Sequence, residues 1–392
     1  MRRDHDIVLF GATGFTGGLT ARYLAGRLPA GARWALAGRD RGKLEDVRER
    51  VAAAAPGSPV PDLLVADVAD PASVRRLAAS TRAVASTVGP YAVHGEPLVA
   101  ACAAEGTDYL DLCGEPEFVD RMYAEHHAAA VESGARIVHA CGFDSVPHDL
   151  GALFTVQRLP EGVPLHVEGF VRAQGAPSGG TLHSLVGAFA EPGRALAAAR
   201  RRRALEGTVP GRRVRVDRRG LPRTRLARGW TLPLPTLDPR VVVRSAAASE
   251  RYGPDFTYGH YAAFRRPVSA VAAAAGAGGL LAAARVPALR DRLLALRAPG
   301  EGPGDAELAA GWFTVHFAGR GGGRRVYTRV SGPDPGYLGT AVMLAESALC
   351  LVHDDLPPTR GQVTTATAMG DALIARLRAA GFGFDVLDPA GA

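Results

Sequence analysis

The sequence contains a single lysine, Lys43, although arginine is abundant throughout its 392 residues. Lys43 falls in a predicted surface helix beyond the second predicted strand. The scarcity of lysine therefore excludes three kinds of site: a Tyr-x-x-x-Lys reductase dyad, a Schiff-base lysine and a Gly-Lys-Ser/Thr phosphate loop.

Cysteine is also scarce, and the four cysteines share no metal-ligand spacing: Cys102, Cys113, Cys141 and Cys350. We therefore predict no metal site, and we expect the four side chains to be small buried hydrophobes rather than disulfides. The first six residues lead directly into a predicted core strand, which leaves no room for a signal peptide. We expect a cytoplasmic protein.

Positive charge is not spread evenly along the chain. Residues 194–228 hold thirteen arginines against Glu206 and Asp217, a net charge of +11. Because the whole chain carries +7, the remaining residues sum to −4. A uniform nucleic-acid surface is therefore not expected, and we predict no nucleic-acid partner. We expect the arginine-rich segment to face solvent, with an anionic partner or lipid headgroups as the alternatives.

What the sequence does contain is a dinucleotide-binding pattern near its start. Residues 7–10 form a continuous apolar run, typical of a parallel strand buried on both faces. Gly11 permits the tight turn that follows, Gly14 lets a pyrophosphate approach the backbone, and Gly17 lets the next helix pack closely. The pyrophosphate would lie on the N-terminus of the helix that starts near Thr16.

The end of the second predicted strand, residues 33–38, indicates which cofactor is bound. Arg39 stands where an NAD site has a carboxylate, and an arginine there pairs with the 2′-phosphate of NADP. Asp40 is predicted to serve the N-terminus of the next helix, so it need not repel the phosphate. The predicted cofactor-binding residues are Gly11, Thr13, Gly14, Phe15, Thr16, Gly17, Arg39, Asp67, Val68, Gly89 and Pro90.

The fourth predicted strand, residues 83–88, ends where the nicotinamide should lie. Ligands of open parallel sheets bind outside the carboxyl ends of the strands, so Tyr91 and His94 are candidate proton donors by position. The alternatives remain open at this stage: Tyr91 packs in a turn, and His94 caps the helix over residues 96–105. If Tyr91 is not the donor, His94, Asp144 and His148 are the next candidates.

The order of predicted elements indicates two domains and a returning tail. Strands and helices alternate six times by residue 142, which predicts an α/β fold with a Rossmann-type doubly wound parallel sheet. Longer strands, predicted at residues 165–173, 240–246, 312–318 and 324–331, indicate a second mixed α+β domain. We predict an NADP-binding domain over 1–142, a substrate domain over 143–332 and C-terminal helices over 333–392 that return to the first domain.

Residues 268–284 form an uncharged, alanine-rich stretch. Only four large apolar residues occur in it, so it is a poor membrane span. Residues 287–297 add a short basic amphipathic pattern. We expect residues 268–298 to give at most peripheral membrane contact, weakened by salt. A helix packed on the protein's own core is the alternative.

Motifs along nearly the whole chain resemble a known family. They are Gly11-Ala12-Thr13-Gly14-Phe15-Thr16-Gly17, Ala37-Gly38-Arg39, Val88-Gly89-Pro90-Tyr91, His94-Gly95-Glu96-Pro97, Tyr109-Leu110-Asp111, Gly114-Glu115 and Gly142-Phe143-Asp144-Ser145-Val146-Pro147. In these the sequence is similar to the saccharopine dehydrogenase-like oxidoreductases, and within them to the bacterial trans-acting enoyl reductases.

This resemblance implies an NADP-linked reductase whose relatives act on carrier-bound acyl chains in lipid assembly. Lysine-forming saccharopine dehydrogenases rely on a lysine and histidine pair. Because Lys43 is the only lysine in this sequence, the resemblance disfavours saccharopine dehydrogenase activity. The leading interpretation is an NADPH-dependent reductase of an activated C=C bond in a lipid-like substrate, protonated by Tyr91, His94 or water. The alternatives are a reductase of an amino-acid-derived imine and a non-catalytic NADP-sensing protein. The sequence does not indicate the oligomeric state.

Overall fold

The computed structural model describes residues 3–175, 192–217, 229–234, 236–286, 288–290, 292 and 302–388. Strands and helices largely alternate in the first part of the chain. These elements are β1 (His5–Phe10), α1 (Phe15–Ala25), β2 (Trp34–Gly38), α2 (Arg41–Ala54), β3 (Asp62–Val65), α3 (Pro71–Ser80), β4 (Thr81–Ser86), α4 (Tyr91–His94), α5 (Glu96–Glu105), β5 (Asp108–Asp111), α6 (Pro116–Ser133) and β6 (Arg136–Val138).

The rest of the chain has longer strands and less regular connections. Its elements are α7 (Val146–Val156), β7 (Leu165–Gln174), α8 (Pro192–Glu206), β8 (Arg213–Asp217), β9 (Trp230–Pro233), α9 (Asp238–Ala248), a 3₁₀ turn (Glu250–Tyr252), β10 (Asp255–Phe264), α10 (Pro267–Ala284), α11 (Asp305–Ala310), β11 (Trp312–Gly321), β12 (Arg324–Pro333), α12 (Leu338–His353), β13 (Gly361–Val363), α13 (Thr365–Ala368), α14 (Gly370–Ala379) and β14 (Gly383–Leu387).

The first sheet has seven parallel strands in the order β13-β6-β5-β4-β1-β2-β3. Strand β1 lies between β2 and β4, and its side chains alternate between two cores. Ile7 and Leu9 pack with α1, α2 and α12, whereas Val8 and Phe10 pack with α3, α5 and α6. A strand covered on both faces must be apolar at successive positions, as β1 is. The predicted doubly wound parallel sheet is confirmed.

The second sheet is mixed, with the order β14-β12-β11-β7-β10-β8, and β9 pairs with β10. Strands β7, β8 and β10 run parallel to one another, and the other pairings are antiparallel. Helix α7 packs on this sheet at Gly151, where a Cβ would lie 2.3 Å from the ring of Phe317. The predicted second α+β unit is confirmed as an architecture.

One predicted strand is wrong. Residues 240–246 belong to helix α9, which starts at Asp238 with a proline in its first turn. The run of three valines suggested a strand, but buried Val241 and Ser245 are four residues apart, as on one helix face. Arg240 is half-buried and reaches Asp120 of α6, with 3.1 Å between Nη1 and Oδ2.

Part of the arginine-rich segment is structural rather than solvent-facing. Arg202 of α8 is buried, lies over the ring of Tyr123, and approaches the buried carboxylate of Asp120. Arg240 and Arg244 of α9 pair with the same carboxylate. The expectation that these arginines face solvent is therefore wrong for Arg202, because the buried Asp120 carboxylate pairs with Arg202 and with two other guanidinium groups.

The four cysteines are buried and form no disulfide, as predicted.

The C-terminal segment divides between the two sheets: α12 and β13 join the first sheet, whereas β14 pairs with β12 of the second. Helix α12 is buried from Gly339 to Val352 and contacts α1, β4 and β5, while β13 pairs with β6. Its carboxylate Glu346, fully buried, accepts hydrogen bonds from Tyr23 Oη at 2.7 Å, Arg27 Nε at 3.1 Å and Arg376 Nη1 at 3.2 Å. One side chain thus links α1, α12 and α14.

We predict that Glu346→Gln lowers the free energy of unfolding by about 2 kcal/mol, because removing this charge leaves Arg27 and Arg376 without their shared partner. The matched control is Glu45→Gln, which breaks the exposed Arg41–Glu45 pair and should cost less than about 0.5 kcal/mol. Urea unfolding of both variants measures the difference. Equal midpoints for the two variants would show that Glu346 does not link the helices.

Candidate functional site

The loop between β1 and α1 has the geometry of a phosphate cradle. Gly11 has a φ of +90°, and a Cβ there would lie 2.7 Å from Thr87 Oγ1. A Cβ on Gly17 would lie 2.2 Å from the carbonyl oxygen of Gly11, so only glycine allows the helix to pack this closely. A Cβ on Gly14 would meet nothing nearer than that oxygen at 3.5 Å. Gly14 therefore faces open space, on the side where a pyrophosphate would approach.

The N-terminus of α1 suits an anion. Within the described part of the chain, no side chain caps this helix, and its first turn has no acidic residue. Its first N–H groups and dipole are thus available to a phosphate. Thr13 is exposed on the loop, the Thr16 carbonyl accepts a hydrogen bond from Thr20, and the half-buried ring of Phe15 packs edge-on against Tyr337 at 5.0 Å.

The ends of β2 and β3 bring the predicted adenosine-side residues together. Ala66 donates its N–H to the Gly38 carbonyl at 3.0 Å, so Arg39, Asp67 and Val68 follow neighbouring strand ends. Arg39 is exposed and makes no ion pair with any described residue. Asp40 is turned away to cap α2 and accepts the Lys43 N–H at 3.1 Å, as predicted. The guanidinium thus has no carboxylate competing with a 2′-phosphate.

The end of β4 lies beside the phosphate loop. Thr87 donates its N–H to the Phe10 carbonyl at 2.9 Å and its hydroxyl to the Gly11 carbonyl at 3.0 Å. These bonds place Gly89 and Pro90, joined by a cis peptide, next to the glycines. The structure therefore brings all the predicted cofactor-binding residues to the carboxyl edge of the first sheet, and they fit the group predicted to bind there.

Tyr91 is positioned as a packing residue. Its side chain is buried, its hydroxyl donates to the Ser86 carbonyl at 3.0 Å, and it accepts the Leu112 N–H at 3.1 Å. Burial, followed by the charge of Asp111, raises the pKa of Tyr91 well above its usual value. A hydroxyl with its proton engaged and its acidity lowered is a poor donor, so this geometry favours the packing alternative.

His94 lies in the last turn of α4 and is half-buried. The N-cap of α5 is Gly95, so the alternative in which His94 caps that helix is wrong. His94 makes no hydrogen bond or ion pair within the residues that the structure describes. It remains a candidate donor.

A buried polar cluster, not predicted as a unit, lies between the two sheets. Asp238 of α9 is 3.2 Å from His148 Nε2 and 3.5 Å from His260 Nε2, and Tyr258 Oη is 3.2 Å from His260 Nδ1. The sequence predicts His148 as one of the further candidate donors, but it does not point to Asp238 or His260. They come from α9 and β10, which are both far from α7 in sequence, and no local pattern links them to His148.

Asp144 lies beside this cluster, just after β6. Its carboxylate rests against Gly114 beyond β5, where a Cβ would lie 2.7 Å from Oδ2. Burial and then the charge of Asp238 raise the pKa of Asp144 to about 7. Burial lowers the pKa of His148 to about 4, even though Asp238 opposes the shift. For Asp238, burial is outweighed by His148 and His260, which hold its pKa below the usual value.

At neutral pH the cluster thus holds an ionised Asp238 and a neutral His148, with Asp144 close to its titration midpoint. Such a carboxyl is suited to give or take a proton. The ligand atoms of His148, Asp238 and His260 lie within 4.8 Å of one another and could also hold a metal ion. The absence of a metal stays a prediction, and the imidazole and carboxylate groups in contact here are suited to proton handling without one.

The sequence matches known proteins over nearly its whole length. The family model described as the saccharopine dehydrogenase NADP binding domain matches residues 7–138. A Mycobacterium tuberculosis protein provisionally named trans-acting enoyl reductase is 39% identical, covering 97% of this chain and 96% of its own. The trans-acting enoyl reductase of Mycobacterium bovis is 36% identical over 97% of both chains, and that of Mycobacterium ulcerans 35% over 96%.

A solved structure shares the fold. Saccharopine dehydrogenase (L-Glu forming) from Saccharomyces cerevisiae, as the apo protein, superposes with a TM-score of 0.55, covering 98% of this chain and all of that one. At 12% identity this likeness concerns the fold alone. The NADP-binding domain match confirms NADP as the cofactor.

We predict that Arg39→Ala weakens NADPH binding by about ten- to 150-fold, the value of one charge-assisted hydrogen bond, and leaves NADH binding nearly unchanged. Arg41→Ala is the matched control, because this exposed arginine two residues further on pairs with Glu45. Fluorescence titration of both nucleotides measures the affinities. A loss of NADH binding as large as that of NADPH would show that Arg39 does not recognise the phosphate.

Proposed function

We propose a substrate for this chain from the premise that it belongs to the trans-acting enoyl reductases, a group of the saccharopine dehydrogenase-like oxidoreductases. It is an NAD(P)-dependent oxidoreductase. Its substrate, in this proposal, is the activated C=C bond of a carrier-bound acyl chain. The observation that carries the proposal is identity of 35–39% to relatives of that name over at least 96% of both chains, which includes the second sheet as well as the nucleotide domain.

The aromatic surroundings of the polar cluster support an apolar substrate. Phe143 packs edge-on against His148, with 5.3 Å between ring centroids, and against Phe313 at 4.9 Å. These rings put apolar surface against His148 and next to Asp144, the residue that follows Phe143 in the chain and whose pKa is raised to about 7 by burial and the charge of Asp238. Acyl chains prefer such walls, whereas an amino-acid substrate would need charged partners for its carboxylates.

The proposed mechanism divides the two hydrogens of the reduction between cofactor and protein. NADPH, when bound, supplies a hydride to one alkene carbon. Asp144, in its protonated form, delivers a proton to the other carbon and is then reprotonated by solvent. Burial and, after it, like-charge repulsion from Asp238 keep the Asp144 pKa high, and neutral His148 holds the Asp238 carboxylate in place through the 3.2 Å contact.

We predict that the purified protein oxidises NADPH when given a trans-2-enoyl thioester of medium chain length. The amino-acid alternative is tested beside it with lysine and 2-oxoglutarate, the substrates of a saccharopine-type reaction. Absorbance of NADPH gives the rate, and mass spectrometry identifies the saturated thioester. Turnover with lysine and 2-oxoglutarate alone would replace this proposal with imine reduction, and NADPH binding without turnover of either would favour a sensor.

We predict that Asp144→Asn lowers turnover by about a hundredfold or more, since general acid catalysis contributes about 10² to 10⁴. Wild-type activity should fall as pH rises above about 7, because the carboxylic acid form is lost there, and Asp144→Asn should lose this limb of the pH profile. The control is Tyr91→Phe, expected within about threefold of wild type. The opposite ranking of the two variants would return Tyr91 to the donor role.

A further inference from the structure

Helix α10 is apolar and almost completely exposed. Among the described residues it is the one helix long and apolar enough to cross a membrane, with 18 residues and a mean hydropathy of 1.6, and only 11% of it is buried. Val268 and Val271 are 75% and 68% exposed. The helix carries small apolar side chains on all of its faces. A partner that covered one face would therefore leave the apolar side chains of the other faces in water.

The topology of the second sheet rules out a single crossing of a membrane. Strand β10, just before α10, and strand β11, after it, both pair with β7. The chain must therefore leave and return on the same side. A second crossing would need about 20 apolar residues, but residues 285–311 include four arginines and four acidic residues. An environment that suits α10 must therefore be reached from one side.

Two tryptophans lie at the same edge of the second sheet as the start of α10. Trp230 pairs with Phe264 at the end of β10, and Trp312 pairs with Gln174 at the end of β7. They are 38% and 39% exposed, whereas the third tryptophan of the chain, Trp34, is buried. Partly exposed tryptophan is typical of the interface between lipid and water, where its ring is apolar and its N–H is polar.

Positive charge lies at the start of α10, where the neighbouring residues in sequence include no acidic side chain. Arg265 and Arg266 are exposed immediately before α10, and residues 261–286 contain no Asp or Glu. Arg172 lies near Arg265, since burial and then the charge of Arg265 lower the pKa of Arg172. Clustered arginines repel one another until an anionic ligand neutralises them. Anionic lipid headgroups would do so while their acyl region accommodates the helix.

We propose that this α10 edge, formed by α10, Arg265, Arg266, Trp230 and Trp312, rests on an anionic membrane surface with α10 lying along the interface. A lipid surface can cover several faces of a helix at once, meets arginines and tryptophans at its headgroups, and requires no crossing. Phe313 follows Trp312 and packs on Phe143 beside Asp144. If the proposed acyl substrate is correct, and only then, the α10 edge also brings the candidate site close to the membrane that would supply this substrate.

Binding to vesicles tests the surface without any assay of activity. The wild type should sediment with vesicles of phosphatidylglycerol and phosphatidylcholine, less with phosphatidylcholine alone, and less at high salt. Tryptophan emission should shift to the blue on the anionic vesicles, because Trp230 and Trp312 enter a less polar environment. No sedimentation with anionic vesicles would overturn the proposal, whatever the result of the enoyl thioester assay.

Variants separate the apolar and the charged contributions. Val268→Asp with Val271→Asp should weaken vesicle binding by at least about tenfold, and Arg265→Gln with Arg266→Gln by about thirtyfold. The control is Val60→Asp, an equally exposed valine (71%) before β3, expected within about twofold of wild type. Unchanged NADPH affinity shows that each variant is folded.

Two results would contradict a lipid partner. Full vesicle binding by the Val268→Asp, Val271→Asp variant would show that α10 does not enter the interface. A wild type that is dimeric by light scattering, ignores vesicles and becomes monomeric in this variant would assign the α10 edge to a second copy of the chain instead.

Discussion

The first sheet is parallel and must be covered on both faces, and one of its covers comes from the far end of the chain. Exposed backbone and apolar side chains on either face would be costly in water, so β1 needs α1, α2 and α12 on one side and α3, α5 and α6 on the other. Glu346 holds α12 against α1 through Tyr23 and Arg27. The second sheet is inserted between the sixth strand and this returning helix, which brings the two sheets together.

The candidate site follows from that insertion. Asp144 lies in the connection between β6 and α7, and α7 carries His148 onto the second sheet, where α9 and β10 supply Asp238 and His260. Burial raises the pKa of Asp144, and the Asp238 carboxylate, which stays ionised beside two imidazoles, raises it further. The predicted cofactor-binding residues lie at the edge of one sheet and Asp144 lies at the junction of both, an arrangement that suits the proposed division of hydride and proton between cofactor and protein.

The nucleotide side was predicted from local patterns because each element of it is local. The glycines, Arg39 and the Asp40 cap act within a few residues of their own strand ends, where a short stretch of sequence determines the geometry. The prediction for residues 240–246 was wrong because three valines fit either a strand or a buried helix face. Tyr91 was placed at the correct edge, but the Ser86 and Leu112 groups that engage its hydroxyl come from two different strand ends.

The sequence by itself determined the parallel sheet, the phosphate loop, the choice of NADP and the lack of lysine chemistry, since these depend on residue type and short spacing. Only the tertiary structure decided that Asp238 and His260 meet His148, that Arg202 is buried, and that α10 cannot cross a membrane. Each of these depends on contacts between residues about 80 or more apart, or on strand order, as when β10 and β11 share β7 as a neighbour. Burial and pKa shifts arise from such distant neighbours, and periodicity carries no information about them.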